Sequence, residues 1–336
     1  MNGTNPANEP FLSICIATLE RAEMLRQTLA CIVPQLTDEV ELLIVDGGSK
    51  DRTEEVANSF ANGRIHYHRL PVKGGVDNDF REGLERAAGR YVWFFCDDDF
   101  FEPGAVGKVI DRLKREAPDL LVVNGRGWDD ETGEILKENF LGFEEDRRYA
   151  KDDQARLFEE VAAYITYIGA VVVRREMWLS RPHSAYAGSE LAHIGVVFHA
   201  PLANGAVAIG EPLVRLRLLS SQWTSRSFKI WMVNWPRLVW SLPFPKRVLK
   251  RVVSPRPWRN LAKLVVLRAS GDFHSLGFRD CIQPAEPNPI YRTAAACIAR
   301  LPVEPLRVLV LAAYRLLVPS RKLRVQQLTR RRHPRA

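Results

Sequence analysis

Residues 11–18 read Phe-Leu-Ser-Ile-Cys-Ile-Ala-Thr, and residues 40–45 and 91–96 repeat the pattern: short, mostly apolar runs without polar alternation. Such runs predict strands buried on both faces, as in the middle of a parallel sheet. Between them the apolar spacing switches to that of a helix. In 21–33, Met24, Leu25, Thr28, Leu29 and Ile32 share one stripe, which Pro34 ends. Helices are likewise predicted over 53–60, with Ser49 or Asp51 as cap, over 79–88, stopped by Gly89, and over 105–115, with Pro103 as first helical position. Residues 64–70 and 119–124 supply further strands, and 129–133 a hairpin turn. Beyond them the pattern predicts a strand over 167–173, a short helix over 174–180, a helical run over 191–204 and strands over 206–209 and 213–218. Strand and helix in alternation predict an α/β fold with a mostly parallel central sheet flanked by helices.

Composition changes that picture in one respect. The 336 residues, 46% hydrophobic and 26% charged, are globular in balance and allow one large domain or two ordinary ones. The net charge of +8, however, is unevenly distributed: 226–336 carry 23 Lys and Arg against 4 Asp and Glu (+19), and 1–225 carry 25 against 36 (−11). This division predicts two regions with different partners. The five scattered cysteines lack CxxC spacing, and three sit in apolar runs, which predicts buried free thiols in a reducing cytoplasm. No secretory signal opens the chain and no run approaches 18 apolar residues, so no membrane-spanning helix is expected.

The chemistry gathers at strand ends. Asp97, Asp98 and Asp99 follow the strand 91–96, and crowded carboxylates call for a cation such as a divalent metal with oxygen ligands. They read equally as an acidic loop before a helix N-terminus. Thr18–Arg21 and Asp46–Asp51 end two other strands, where open α/β sheets bind ligands. Lys73-Gly74-Gly75 offers a phosphate charge and close backbone approach, or an ordinary loop. No Gly-x-Gly-x-x-Gly opens the first helix and no Gly-Lys-Ser/Thr occurs, which disfavours a dinucleotide fold and a P-loop.

Five blocks in this order carry a resemblance: 12–21, Leu-Ser-Ile-Cys-Ile-Ala-Thr-Leu-Glu-Arg; 44–53, Ile-Val-Asp-Gly-Gly-Ser-Lys-Asp-Arg-Thr; 74–79, Gly-Gly-Val-Asp-Asn-Asp; 87–99, ending Phe-Phe-Cys-Asp-Asp-Asp; and, less specifically, 178–193 with Trp-Leu-Ser-Arg-Pro and Gly-Ser-Glu-Leu-Ala-His. Over roughly 10–225 the chain resembles family 2 glycosyltransferases of the GT-A fold, in their abequosyltransferase-like branch. The resemblance implies that Thr18, Glu20, Arg21, Asp46 and Ser49 line a nucleotide pocket, with Asp46 a partner of the base. It implies Asp77 near the donor and the acids Asp97, Asp98 and Asp99 as the metal- and diphosphate-binding motif, with Asp97 near the ribose or the metal and Asp99 the strongest ligand for Mg²⁺ or Mn²⁺. Where the family usually has Pro-Thr-Tyr-Asn-Arg, this chain has Ala-Thr-Leu-Glu-Arg, and Lys73 replaces a common Asn, so base and sugar selectivity stay open. Inversion needs a base for the acceptor hydroxyl. Glu190 matches the family's acid and His193 is the second candidate; each also reads as structural, Glu190 as a helix-start carboxylate and His193 as a core histidine.

The implied activity is inverting transfer of a sugar from a nucleotide-diphosphate sugar to a lipid-linked glycan, in cell-surface polysaccharide or lipopolysaccharide synthesis. The rivals are an inactive nucleotide-sugar or membrane-binding scaffold and a GT-A-like nucleotidyltransferase. The domain reading is a flexible 1–10, a catalytic 11–225, a basic helical region 226–328 and a disordered 329–336. In the basic region Phe228, Trp231, Trp235 and Leu238 or Val239 follow a stripe interrupted near Pro236. Residues 306–318 are apolar between Arg307, Arg315 and Arg321-Lys322. That composition suits an anionic membrane surface on the inner face of the cytoplasmic membrane. It also suits a helical subdomain with a solvated basic face. No nucleic-acid motif is present, and none is expected as partner.

Overall fold

The computed structural model describes residues 9–218 and 226–317. Up to Arg217 these form one compact unit, to which Ser241–Val252 return; Leu218 and the described residues 226–240 and from Val253 onward form a second. One helix of the basic region, within Ser241–Val252, belongs with the first unit.

The first unit is built on β1 (Leu12–Thr18), β2 (Val40–Asp46), β3 (Ile65–Arg69) and β4 (Tyr91–Cys96), parallel neighbours in the order β3-β2-β1-β4. All seven residues of β2 and the first five of β4 are buried, as an unalternated pattern requires. The helices between them are α1 (Ala22–Ile32), α2 (Thr53–Ser59) and α3 (Val76–Arg86). Then follow β5 (Phe100–Phe101), α4 (Ala105–Glu116), β6 (Leu120–Val122), β7 (Gly125–Asp129), β8 (Ile135–Lys137), β9 (Arg147–Tyr149), α5 (Gln154–Val161), β10 (Val171–Arg174), α6 (Arg175–Leu179), α7 (Ala192–Val197), β11 (Ala206–Ala208) and β12 (Val214–Leu218). The large sheet continues β4-β10-β6-β11-β9, with β10 antiparallel to both neighbours and β9 antiparallel to β11. A second sheet runs β5-β12-β7-β8. Six of the eight strands of the large sheet thus point the same way.

Register sets the functional end. Thr18 pairs with Asp46 and Ala17 with Cys96, so Thr18, Asp46 and the residue after Cys96 emerge side by side. Beneath them Trp93 stacks on Phe101 at 4.2 Å and donates its indole N–H to the Gly169 carbonyl at 2.8 Å.

Several expectations need correction. Helix α3 starts at Val76, three residues early, because Gly75 takes φ +84° and serves as its cap. Asp77 is therefore in a helix, not a loop. The helix ends at Arg86, so Gly89 does not stop it. A Cβ at Gly89 would lie 2.6 Å from the Ser13 hydroxyl, so this glycine lets the chain cross β1. Gly104, not Pro103, precedes the first residue of α4. Asp51, not Ser49, accepts the Thr53 N–H. The strand expected over 167–173 begins only at Val171, after a 3-10 turn at Ile168–Ala170, and the helical run from 191 shrinks to α7.

The second unit is helical. Helix α8 (Ser227–Lys229) passes through a π turn at Ile230–Asn234 into α9 (Trp235–Ser241). The π turn accommodates Pro236, whose ring and missing N–H would break an α-helix at Met232. Phe228 and Trp235 are buried on the predicted stripe, while Trp231 is exposed. Helix α10 (Lys246–Val252) lies in the first unit against α5 and pairs Arg251 with Glu159. Helices α11 (Leu261–Ala269), α12 (Ser275–Gly277), α13 (Pro289–Arg300) and α14 (Val303–Leu317) complete the second unit around Phe228, Met232, Trp258, Leu264, Phe273 and Ile282. Among the described residues, no helix is long and apolar enough to cross a membrane. All five cysteines are free: Cys15 is buried, Cys31, Cys96 and Cys281 are partly buried and Cys297 is exposed. The expected flexible start (1–8 of it), Val318, Arg321, Lys322 and the expected disordered 329–336 lie outside the described residues.

Candidate active site

The end of β1 and the end of β4 are joined by two side chains. Thr18 Oγ1 donates to Asp97 Oδ2 at 2.7 Å, and one terminal nitrogen of Arg21 donates to Asp97 Oδ1 at 2.8 Å and Asp98 Oδ2 at 2.7 Å. Thr28, on the buried face of α1, turns its hydroxyl to the carbonyls of Asp97 and Asp99, 3.0 Å from each. This fixes the acidic turn against the first helix. Burial and the charge of Asp98 push Asp97 upward, and Arg21 and Thr18 pull against that shift. Arg21 is itself held more firmly charged by the two acids.

Asp99 is buried, and burial with the neighbouring Asp98 lifts its carboxyl well above the usual range. It accepts the backbone N–H of Arg217 at 2.7 Å, with the Tyr167 hydroxyl beside it. The Arg217 side chain spans the cluster: Nε to the Asp98 carbonyl at 3.0 Å, one terminal nitrogen to Asp130 at 2.8 Å and the other to Gln27 at 2.9 Å.

The metal pairing expected from the sequence, Asp97 with Asp99, does not match this geometry, because both Asp97 oxygens are engaged, Oδ2 by Thr18 and Oδ1 by Arg21, whereas Arg21 meets Asp98 at Oδ2 alone. Ligand atoms of Cys96, Asp98 and Asp99 instead lie within 4.8 Å of one another. Two carboxylates, one of them desolvated and repelled by the other, fit a hard divalent cation. The Cys96 thiol, raised by burial and by all three acids, stays protonated and is a poor ligand for such an ion.

The second strand end is a closed network. Asp46 Oδ1 accepts the N–H of Gly48 at 3.1 Å and both N–H and hydroxyl of Ser49 at 2.9 and 2.6 Å; Oδ2 accepts the Tyr67 hydroxyl at 2.6 Å. Asp46 is fully buried, so here it shapes the loop that would face a base. Glu20, at φ +55°, donates its N–H to the Ser49 hydroxyl and accepts the Lys50 N–H, both at 2.8 Å. Thr18, Glu20, Arg21, Asp46, Ser49 and the three aspartates thus form one linked rim. Lys73 is exposed, near enough for its charge to act on Asp79. Asp77 accepts the N–H groups of Glu190 at 2.9 Å and Ala192 at 3.2 Å, so its carboxylate is turned to the 188–192 loop.

His193 is corrected as a candidate base. It is buried on α7 with Nε2 2.7 Å from the Ile165 carbonyl, and burial lowers its pKa to about 4. A neutral imidazole donating into the core is not presented to an acceptor hydroxyl. Glu190 remains, half-buried at φ +62°.

Three residues that sequence reasoning missed join the site. Asp79 is buried beside Gly47, its Oδ1 without a hydrogen-bond partner, and burial with the charge of Asp46 raises it to about 6. Arg217 and Tyr167 complete the surroundings of Asp99. The Val-Arg-Leu-Arg-Leu alternation of β12 was a signal for Arg217, since period two places both arginines on one face. Nothing local pointed to Tyr167.

Comparisons with known proteins concern the family and the fold. Residues 13–175 match the family model described as Glycosyl transferase family 2. A PGL/p-HBAD biosynthesis glycosyltransferase of Mycobacterium tuberculosis is 34% identical over 117 residues, 34% of this chain and 45% of that protein. The match therefore spans less than half the length of that relative. The abequosyltransferase of Salmonella typhimurium is 26% identical over 229 residues, 62% of this chain and 66% of its own. Among solved structures, residues 1–349 of S. aureus TarS align with TM-score 0.57 at 13% identity, covering 94% of this chain and 88% of that one. The mannosyltransferase PcManGT of Pyrobaculum calidifontis, solved with GDP-Man and Mn²⁺, aligns with TM-score 0.54 at 14% identity, covering 97% and 86%. The fold is that of GT-A glycosyltransferases, with a helical C-terminal region.

Proposed function

From the family 2 glycosyltransferase domain matched over residues 13–175, we propose an inverting, metal-dependent glycosyltransferase that moves a sugar from a nucleotide-diphosphate sugar to a lipid-linked glycan. It would elaborate a cell-surface polysaccharide or lipopolysaccharide at the inner face of the cytoplasmic membrane. The observation that carries the reading is the joint of Thr18 and Arg21 to Asp97 and Asp98, beside Asp99, at the carboxyl ends of β1 and β4. The abequosyltransferase relative supports the surface-glycan context, and the basic second unit supports the membrane.

In this reading the 46–50 loop and Glu20 frame the nucleotide, and Asp98 and Asp99 would hold Mg²⁺ or Mn²⁺. When bound, that ion offsets the charge that develops on the diphosphate. Glu190 takes the proton of the acceptor hydroxyl as its oxygen bonds to the anomeric carbon from the opposite face. The bond from that carbon to the diphosphate oxygen breaks, and the nucleoside diphosphate leaves with the electron pair.

The test is a thermal-shift screen of UDP-, GDP-, CDP- and dTDP-sugars with and without Mn²⁺, since a ligand of the native state raises its stability. One base class should raise the melting temperature only with metal, and the acceptor assay then follows with that donor. No shift with any donor would remove the reading.

A further inference from the structure

The 188–192 loop is built around one carboxylate. Asp77 Oδ2 accepts the Glu190 N–H and Oδ1 the Ala192 N–H, and the N–H groups of Gly188 and Ser189 act on the same carboxylate. These four closely spaced donors form an anion nest, and the anion is supplied by the chain itself, 113 residues from Glu190. The nest depends on left-handed backbone at Gly188, φ +78°, and at Glu190, φ +62°. Glycine adopts that conformation freely; glutamate holds it only where its surroundings over-determine it. Asp77 is in turn fixed by the first turn of α3, which Gly75 starts.

We propose that Asp77 is the positioning residue for Glu190: its carboxylate fills the nest of the 188–192 loop and thereby fixes the backbone from which the Glu190 side chain meets the acceptor hydroxyl. This differs from the donor contact expected for Asp77 from the sequence, because both carboxylate oxygens face the loop. It rests on the reading of Glu190 as base, and it predicts a defect in turnover, not in donor binding.

The experiment compares Asp77→Asn, Asp77→Glu, Glu190→Gln and the Asp77→Asn/Glu190→Gln double variant, using the full chain, the donor found by thermal shift and Mn²⁺. In Asp77→Asn the amide nitrogen cannot accept an N–H, so half the nest is lost. The expected result is a fall in kcat of about 10- to 100-fold, the scale set by small misplacement of a reacting group. Donor KM and the donor-induced thermal shift should be unchanged. Asp77→Glu, which restores the carboxylate, should recover part of the turnover and covers the case in which the asparagine variant folds poorly. The double variant should be no slower than Glu190→Gln alone, since one residue acts through the other. A raised donor KM with kcat intact would overturn the proposal in favour of donor contact, as would losses that multiply in the double variant. Inactive Glu190→Gln beside unimpaired Asp77→Asn sinks the positioning role alone. Wild-type turnover in Glu190→Gln sinks the base assignment and the positioning role with it.

Discussion

Arg217 donates its backbone N–H to Asp99 Oδ1 at 2.7 Å, so strand β12 grips the acidic turn after β4. Its guanidinium, almost fully buried, is held by the Asp98 carbonyl, Asp130 and Gln27, with the Phe100 ring 5.2 Å away. Arg217→Met keeps the backbone bond and leaves Asp130 without its cation. Breaking such a pair from one side costs roughly 3 kcal/mol. Urea denaturation should show that loss, and Arg217→Met/Asp130→Asn should lose less than the sum of the single variants. Additive losses would mean that the pair is not coupled.

The three aspartates should respond differently to the same change. Asp97→Asn breaks contacts to Thr18 and Arg21 and should lower the melting temperature. Asp99→Asn removes a desolvated charge that Asp98 repels, so without metal it should melt at the same temperature or a few degrees higher. Because the folded-state pKa of Asp99 is raised, the native state holds its proton more tightly than the unfolded chain, and metal-free stability falls as pH rises through that pKa. Transfer should be lost in Asp99→Asn and in wild type treated with EDTA. Full activity in EDTA would remove the metal from the mechanism.

His193 gives a pH signature opposite in sign. Its pKa drops from 6.5 to about 4 on folding, so the unfolded chain binds the extra proton first. Stability is complete above about pH 6.5 and declines toward pH 4, by roughly 3 kcal/mol if the shift is fully expressed. His193→Gln, whose amide can still donate to the Ile165 carbonyl, should flatten that part of the profile and retain transfer activity. An inactive but folded His193→Gln would restore the histidine as candidate base.

How far the sequence reached follows from where the information lies. Tyr91–Cys96 was legible to the residue because an unbroken apolar run between Arg90 and three acids leaves no other register. The start of α3 was not, since Gly74-Gly75 marks a turn without saying which glycine takes positive φ. Asp97 and Asp99 were read as the metal pair because residue type and spacing do not say that Arg21, 76 positions earlier, claims the first of them. The closure of Asp46 by Ser49 and Tyr67, and the burial of His193, likewise depend on partners far along the chain. Local pattern located β1 to β4, but long-range hydrogen bonds divided the site among its residues.

Among the described residues of the second unit, Glu286 is the one buried charge. Glu286 accepts the Trp258 indole N–H at 2.9 Å, two Arg259 N–H groups at 2.8 and 2.7 Å and the Asn288 N–H at 2.9 Å, which lowers its pKa to about 2. A depressed carboxylate stabilises above its unfolded value near 4.5, and that contribution is lost as pH falls toward 2. Glu286→Gln should cost about 3 kcal/mol at pH 7 and less at pH 3. An equal loss at both would show that shape, not charge, holds the unit together.

Helix α14 offers a direct test of membrane contact. Leu306, Val310, Leu311 and Tyr314 pack inward with Val265, Val266 and Ala269, yet the opposite side is also apolar: Val308, Leu309 and Leu316 are 66%, 68% and 81% exposed. An outward apolar stripe is a burden in water and suits the boundary between headgroups and acyl chains. The residues after it, 318–336, contain seven Lys and Arg and no acid, and each cation near an anionic surface contributes about 1 kcal/mol. Wild-type protein should therefore sediment with vesicles containing phosphatidylglycerol and stay in solution with phosphatidylcholine alone, and salt should release it. Val308→Asp/Leu309→Asp changes only exposed positions, so it should melt like wild type while losing most of its binding to the anionic vesicles. Binding unchanged in that variant would leave the basic residues as the whole contact. Concentration-dependent self-association that the variant abolishes, with no vesicle binding in wild type, would assign the stripe to a second copy of the chain.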